Sequence, residues 1–585
     1  MNRRYLSAGM ALCLGGLSTL GASQSSHAQE APPAAARTAA PKPAPAQPTP
    51  PEAAAPSAPG AVTPAKRPAA APPTQVPAQA PATNLPAAPT ATPAAQVPAT
   101  TPTAAPAAPA ATRKPAAATA PTAPTAKPAA AARVAAPPAA APAAPAPTEP
   151  PASKSTLAAL PIQRATLPNG LRVVLSPDRT IPTVGIAVYY DVGSRNEVPG
   201  RSGFAHLFEH MMFQGSANVA KGEHFQLILN RGGQMNGTTS EDRTNYYETL
   251  PSNELGLGLW LEADRMKSLA ITQDNFENQR QTVMEERRQS YDNQPYARSF
   301  LRINELAFGD YFPYSHSTIG DMQDLVGAPL TAVQDFFTAY YAPNNAVVAL
   351  AGDFDPTEAL ALVNQYFGDI PARGRPEYKP GPFAPQTAPK TETMTDPLAQ
   401  LPGFHVAYHI PPDREPDHYP LDILAMALGD GESSRLYQEL VKKRELLQSL
   451  NVGTDSRRGP DLFSVWAVLA EGKDAKLARD VVYKELAKLA KTGLTPRELD
   501  KAKNRVRSSF VFGLGSTLER ALVLGQFELY FGNAELLKTE LDRYLAVTND
   551  DVKRVAAQYF TEINRTVLDV VPSPAAPKNA EGAAQ

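Results

Sequence analysis

The segment Gly203-Phe204-Ala205-His206-Leu207-Phe208-Glu209-His210-Met211-Met212-Phe213 holds the residues best suited to chemistry. On a helix His206 and His210 stand four apart, so both imidazoles project from one face about one turn apart. That spacing can bring two nitrogens to one tetrahedral zinc at ~2.0–2.1 Å. Glu209 lies beside them, where its carboxylate can take a proton from metal-bound water. Zinc lowers the pKa of such water from ~15.7 to about 7, making hydroxide available at neutral pH. Phe204, Leu207, Phe208 and Met211 would pack the helix and keep the site dry. The bland alternative is a salt-bridged helix face. Histidine is scarce elsewhere (His27, His224, His316, His405, His409, His418), which weighs against coincidence. His405 and His409 share the same spacing, but Phe404–His409 alternates like a strand and precedes Pro411-Pro412, so that pair reads as structural.

Elements must position this helix. A strand pair over Ile162–Leu167 and Leu171–Leu175 flanks Pro168-Asn169-Gly170, a hairpin signal, and Thr183–Tyr190 is β-branched and aromatic. Helices are expected over Gly203–Phe213, His224–Asn230, Glu254–Met266 and Asn275–Asn293, then a strand at Asn345–Ala351 and a helix at Pro356–Phe367. Pro371–Pro402 is rich in proline and reads as the domain boundary. The order then recurs. Strands are expected at Phe404–His409, Phe463–Leu469 and Val567–Val571, and helices at Tyr419–Leu428, Ser434–Arg444, Ala475–Leu489, Pro496–Phe512 and Leu518–Phe531. The fold class is therefore α+β: two homologous halves, 157–375 and 390–573, each a mainly antiparallel sheet packed by helices.

Composition shortens the foldable length of the 585-residue chain. Of its 62 prolines, 34 precede residue 156, and a Pro/Ala tract cannot bury enough apolar surface to offset its ordering entropy. Residues 29–156 are thus a disordered linker, and 574–585 a flexible tail. Arg3 and Arg4, the apolar run Leu6–Ala22 and Ser26-His27-Ala28 read as a signal peptide over 1–28. Export follows, with a bacterial periplasm or cell envelope as the expected place and no membrane span after cleavage. A formal charge of −2 disfavours nucleic acid as a partner. The lone Cys13 lies inside the signal, which excludes disulfides, thiolate metal sites and a cysteine nucleophile from the mature chain.

The order His-x-x-Glu-His is the inverzincin signature. With it, residues 165–571 resemble the pitrilysin/insulinase family of zinc metallopeptidases, which includes mitochondrial processing peptidase. The resemblance implies one zinc per chain, held by His206, His210 and a third ligand about 76 residues on. Glu286 stands there, with Glu285 as the fallback, and Glu209 would be the general base. The family often has a Glu seven residues before that ligand; here it is Gln279, a partner for the ligands that cannot help neutralise the metal. Asn236-Gly237-Thr238-Thr239 is similar to the family's Asn-Ala-x-Thr edge strand, which binds substrate as an added strand.

One departure matters. After Ser434-Arg435-Leu436-Tyr437, relatives carry an Arg and a Tyr that hold the substrate, and this chain has Val441 and Gln448. Losing such a donor costs about 100- to 1000-fold in rate. The resemblance thus implies peptide substrates and a heterodimer with a homologous zinc-less subunit that supplies the pair, a homodimer being the alternative. A non-catalytic scaffold or assembly factor is the competing reading.

Overall fold

The computed structural model describes residues 156–573 apart from Arg375. The expected signal peptide, all but the last residue of the linker, and the tail lie outside these residues.

The first half builds a six-stranded sheet. Its strands are β1 (Gln163–Thr166), β2 (Arg172–Pro177), β3 (Thr183–Tyr190), β4 (Gln234–Thr239), β5 (Thr244–Pro251) and β6 (Ala346–Gly352), in the order β1-β2-β6-β3-β5-β4. The second half contributes β7 (Lys390–Asp396), β8 (Gly403–Ile410), β9 (Leu447–Thr454), β10 (Asp461–Leu469) and β11 (Arg565–Pro572), in the order β7-β11-β8-β10-β9. Without β1 the two orders are the same. The first and last strands pair in parallel and all other neighbours pair antiparallel in both sheets. Two mainly antiparallel sheets of one topology are the duplicated α+β architecture that the chain order implies.

Helices of the first half include α1 (Phe204–Met211), α2 (Glu223–Leu229), α3 (Leu255–Ser268), α4 (Gln273–Arg287) and α5 (Ala297–Phe308). Strands β3 and β6 are buried on both faces, which explains their continuous apolar runs. Val184, Ile186, Val188 and Tyr190 meet the core containing α1 and α3, whereas Ala187 and Tyr189 meet the core of the second half. That second core reaches the first sheet through the helix Thr517–Phe531, where the Tyr189 hydroxyl donates to the Leu522 carbonyl at 2.9 Å. The exchange is mutual. Helix α5 packs on β8 and β11, with Ser299 bonded to His405 at 2.8 Å and Phe300 against Trp466. In each half the third helix after the antiparallel pair thus covers the other half's sheet.

Several boundaries differ from expectation. The helix expected over Asn275–Asn293 ends at Arg287 and continues as a wider π-type turn over Arg288–Asp292, and the one expected over Ser434–Arg444 is largely another such turn, Tyr437–Lys443. Strand β7 lies inside the expected proline-rich boundary, and β9 was not anticipated; as the two edges of their sheet both are only half buried, so their apolar pattern is weak. Among the described residues no helix is long and apolar enough to cross a membrane.

Candidate metal centre

Helix α1 enters through Gly203 at φ 86°, and a Cβ there would lie 2.8 Å from the Ile319 carbonyl oxygen, so the tight entry requires glycine. The Glu197 carboxylate accepts from the amides of Gly203 and Ala205 at 2.9 and 2.8 Å, meeting two of the orphan donors at the helix start. On the next turn His206 and His210 present their Nε2 atoms toward α4. The Glu286 Oε2 atom lies 3.7 Å from Nε2 of His206 and 3.2 Å from that of His210. These three side chains bring their ligand atoms within 4.8 Å of one another, so two imidazole nitrogens and one carboxylate converge, the donor types that zinc takes.

Electrostatics act in opposite directions on the two histidines. Burial drives the His206 pKa down to about 4, leaving the neutral imidazole that binds metals. Burial also works against the His210 imidazolium, but the bond and charge of Glu286 outweigh it and its pKa rises. For Glu286 burial opposes ionisation, yet the two histidines hold its pKa below the ordinary value.

Glu209 is buried beside this group. Desolvation raises its pKa, while the Thr239 hydroxyl, donating to Oε2 at 2.6 Å, pulls it back. Gly237 packs against it: a Cβ at Gly237 would sit 3.1 Å from the Glu209 Cγ, so the glycine gives the general-base candidate its room. Strand β4 pairs only with β5, so its other edge is unpaired in the sheet. Asn236 and Thr238 point away from Glu209. Thr238 is tied to Asn245 at 2.6 Å. The hydroxyl of Thr239, on the strand expected to bind substrate through its main chain, donates to Glu209.

Gln279 is buried about two turns before Glu286 and bonds His210. Glu285 does not join the site. Its side chain is 53% exposed against 35% for Glu286, and it pairs with Arg288 and Gln289, because adjacent helical positions point about 100° apart. His405 and His409 are buried among Phe300, Trp466, Phe308 and Phe383, away from the other histidines. Val441 packs against the second core and Gln448 is exposed on β9.

Two further polar clusters escape sequence reasoning. His224, Glu248 and Glu262 meet in the interior, but the Arg265 guanidinium grips both oxygens of Glu262 and already supplies a cation. In the second half His418 sits between Asp422 (3.2 Å) and Asp461 (3.0 Å), and Thr454 donates to Asp422 as Thr239 does to Glu209. Arg243, whose charge works against the rise in the Glu209 pKa, was also missed; from the turn before β5 it reaches the Thr238 carbonyl at 2.8 Å. None of these has a local sequence signal.

Residues 172–317 match the family described as Insulinase (Peptidase family M16), and residues 328–506 match the Peptidase M16 inactive domain. The chain belongs to the M16 peptidase family. Its relatives include the zinc protease PqqE of Helicobacter pylori, 31% identical over 422 residues that cover 70% of this chain and 93% of that protein. Mitochondrial-processing peptidase subunit beta of Blastocladiella emersonii is 25% identical over 425 residues, covering 70% and 88%. The crystal structure of a protease from Helicobacter pylori superposes with a TM-score of 0.67 at 30% identity, over 71% of this chain and all of the other. In this M16 chain the candidate metal ligands all lie in the first half, and the matched inactive domain includes the His418 helix of the second.

Proposed function

We propose that this M16 chain is an exported zinc endopeptidase that hydrolyses peptides or unfolded segments, with one zinc held by His206, His210 and Glu286. The observation that carries the reading is the convergence of those three side chains within 4.8 Å, with a buried, hydroxyl-tethered Glu209 beside them. When bound, zinc supplies Lewis-acid polarisation of the scissile carbonyl and acidifies water. Glu209 takes the proton from the attacking water and returns it to the leaving amine, its carboxylate held in line by Thr239. Gln279 orients His210. The unpaired edge of β4, at Asn236–Thr238, offers main-chain hydrogen bonds to an extended substrate, so recognition depends little on side chains.

The chain works with a homologous zinc-less subunit that supplies an Arg/Tyr pair. In support, Val441 has no hydrogen-bonding atom and is packed on the core, and Gln448 stands where a Tyr is expected. A homodimer would place two zinc sites in one assembly and leave both without the pair. Export to the periplasm or cell envelope rests on the basic and apolar residues 1–28.

The test is zinc content and peptide hydrolysis by the full chain beside Glu209→Gln, each alone and with the co-purifying homologue. About one zinc per chain in both, with hydrolysis lost only in Glu209→Gln, supports the reading. Hydrolysis that appears only with the homologue supports the heterodimer, and full activity of the single chain refutes it. Protein that takes up no zinc turns the assignment to a scaffold.

A further inference from the structure

We infer that His316 is a positioning residue for the metal centre: with Glu197 and the turn at Gly320 it clasps the start of α1 to the end of α4, setting the two histidines against Glu286. The inference rests on the zinc reading above. The two elements that carry the candidate ligands are far apart in the chain. The segment 316–324 touches both. The His316 Nε2 atom lies 3.0 Å from the Glu197 carboxylate, whose oxygens hold the Gly203 and Ala205 amides immediately before His206. Its Nδ1 atom lies 2.6 Å from the Phe312 carbonyl, and its ring stacks on Phe312 with centroids 4.0 Å apart, so the imidazole cannot swing away.

Four residues on, Gly320 runs against Gly203; a Cβ on Gly320 would fall 2.4 Å from the Gly203 Cα. The Gly320 carbonyl accepts from Arg287, the residue after Glu286. Ser202 completes the clasp, accepting from the Asp321 amide at 2.8 Å and donating to Asp324 at 2.6 Å. One short loop therefore bonds to the residues flanking the first ligand and the last. Groups that orient ligands from behind typically contribute 10- to 100-fold in metal affinity.

The experiment measures the zinc dissociation constant of the full chain by competition with a chromophoric chelator, together with the melting temperatures of metal-free and zinc-loaded protein. His316→Leu is expected to weaken zinc binding by about 10- to 100-fold and to shrink the rise in melting temperature that zinc produces. His316→Gln, which keeps a donor toward Glu197, restores most of both. Tyr419→Phe in the second half removes a buried hydroxyl bonded to Glu540 at 2.9 Å and serves as the control: it lowers both melting temperatures alike and leaves zinc affinity unchanged. If His316→Leu does not fold, Ser202→Ala carries the test with an expected loss of about threefold or more. Wild-type protein that binds zinc, with variants of unchanged affinity, would overturn the clasp alone; wild-type protein that binds none would overturn both it and the zinc reading.

Discussion

Exchanging either of two adjacent carboxylates for an amide should give opposite results. Glu286 Oε2 approaches both Nε2 atoms, at 3.2 and 3.7 Å, and is the one anionic donor in the ligand set. Protein sites of four ligands bind zinc with roughly 10–16 kcal/mol, or about 2.5–4 kcal/mol per ligand. An amide oxygen keeps part of that, so Glu286→Gln should lose about 2–3 kcal/mol, which is roughly 30- to 150-fold in the dissociation constant. Glu285 is half exposed and joined to Arg288 at 3.0 Å, a surface pair that adds little to folding and nothing to the metal. Glu285→Gln should therefore bind zinc like wild type. Chelator competition, with zinc per chain counted after desalting, reads both. The reasoning fails if Glu286→Gln stays within about threefold of wild type, or if Glu285→Gln loses as much.

Thr239→Val should leave zinc content intact and lower kcat by about tenfold or more, because a buried carboxylate loses its donor; Thr239→Ser should recover it, and a steady-state peptide assay compares them. His418, flanked by two carboxylates, has a pKa raised well above its ordinary value. Its contribution to stability is thus complete below about pH 6.5 and falls by about 1.4 kcal/mol per unit as pH rises toward the folded pKa. The gap in urea midpoint between wild type and His418→Asn should accordingly be larger at pH 6 than at pH 8.5, and a constant gap would exclude a charged imidazole. A Cβ at Gly525 would lie 2.7 Å from the Tyr189 ring, so Gly525→Ala should cost about 1–3 kcal/mol through overpacking between the halves, measured as a lower urea midpoint with unchanged zinc affinity.

The candidate ligands on α1 stood out because five consecutive residues impose their own geometry: once His206 and His210 share a helix, their common face follows. Glu286 was legible only through the family's spacing, and its choice over Glu285 needed the rotation of α4. Strand Thr183–Tyr190 and helix Pro356–Phe367 were read to the residue, since one is a continuous apolar run and the other has Asp355 as a cap that accepts from the Thr357 and Glu358 amides. Strands β7 and β9 were missed for the opposite reason, being edges with little to bury. The Glu197–His316 pair spans 119 residues, and nothing near either one announces the other. Long-range polar pairing of this kind depends on tertiary placement, which local periodicity does not encode.

The reciprocal covering of sheets by α5 and Thr517–Phe531 has a bearing on ancestry. Two copies that trade the same helix form an intertwined pair, in which neither copy has a closed core of its own. Joining such a pair end to end through the stretch between Ile370 and Lys390 would give the present topology without any change in packing. On that view the chain is a dimer made covalent. Its second copy carries His418 and Asp422, part of an all-protein ion cluster, on the helix that corresponds to α1.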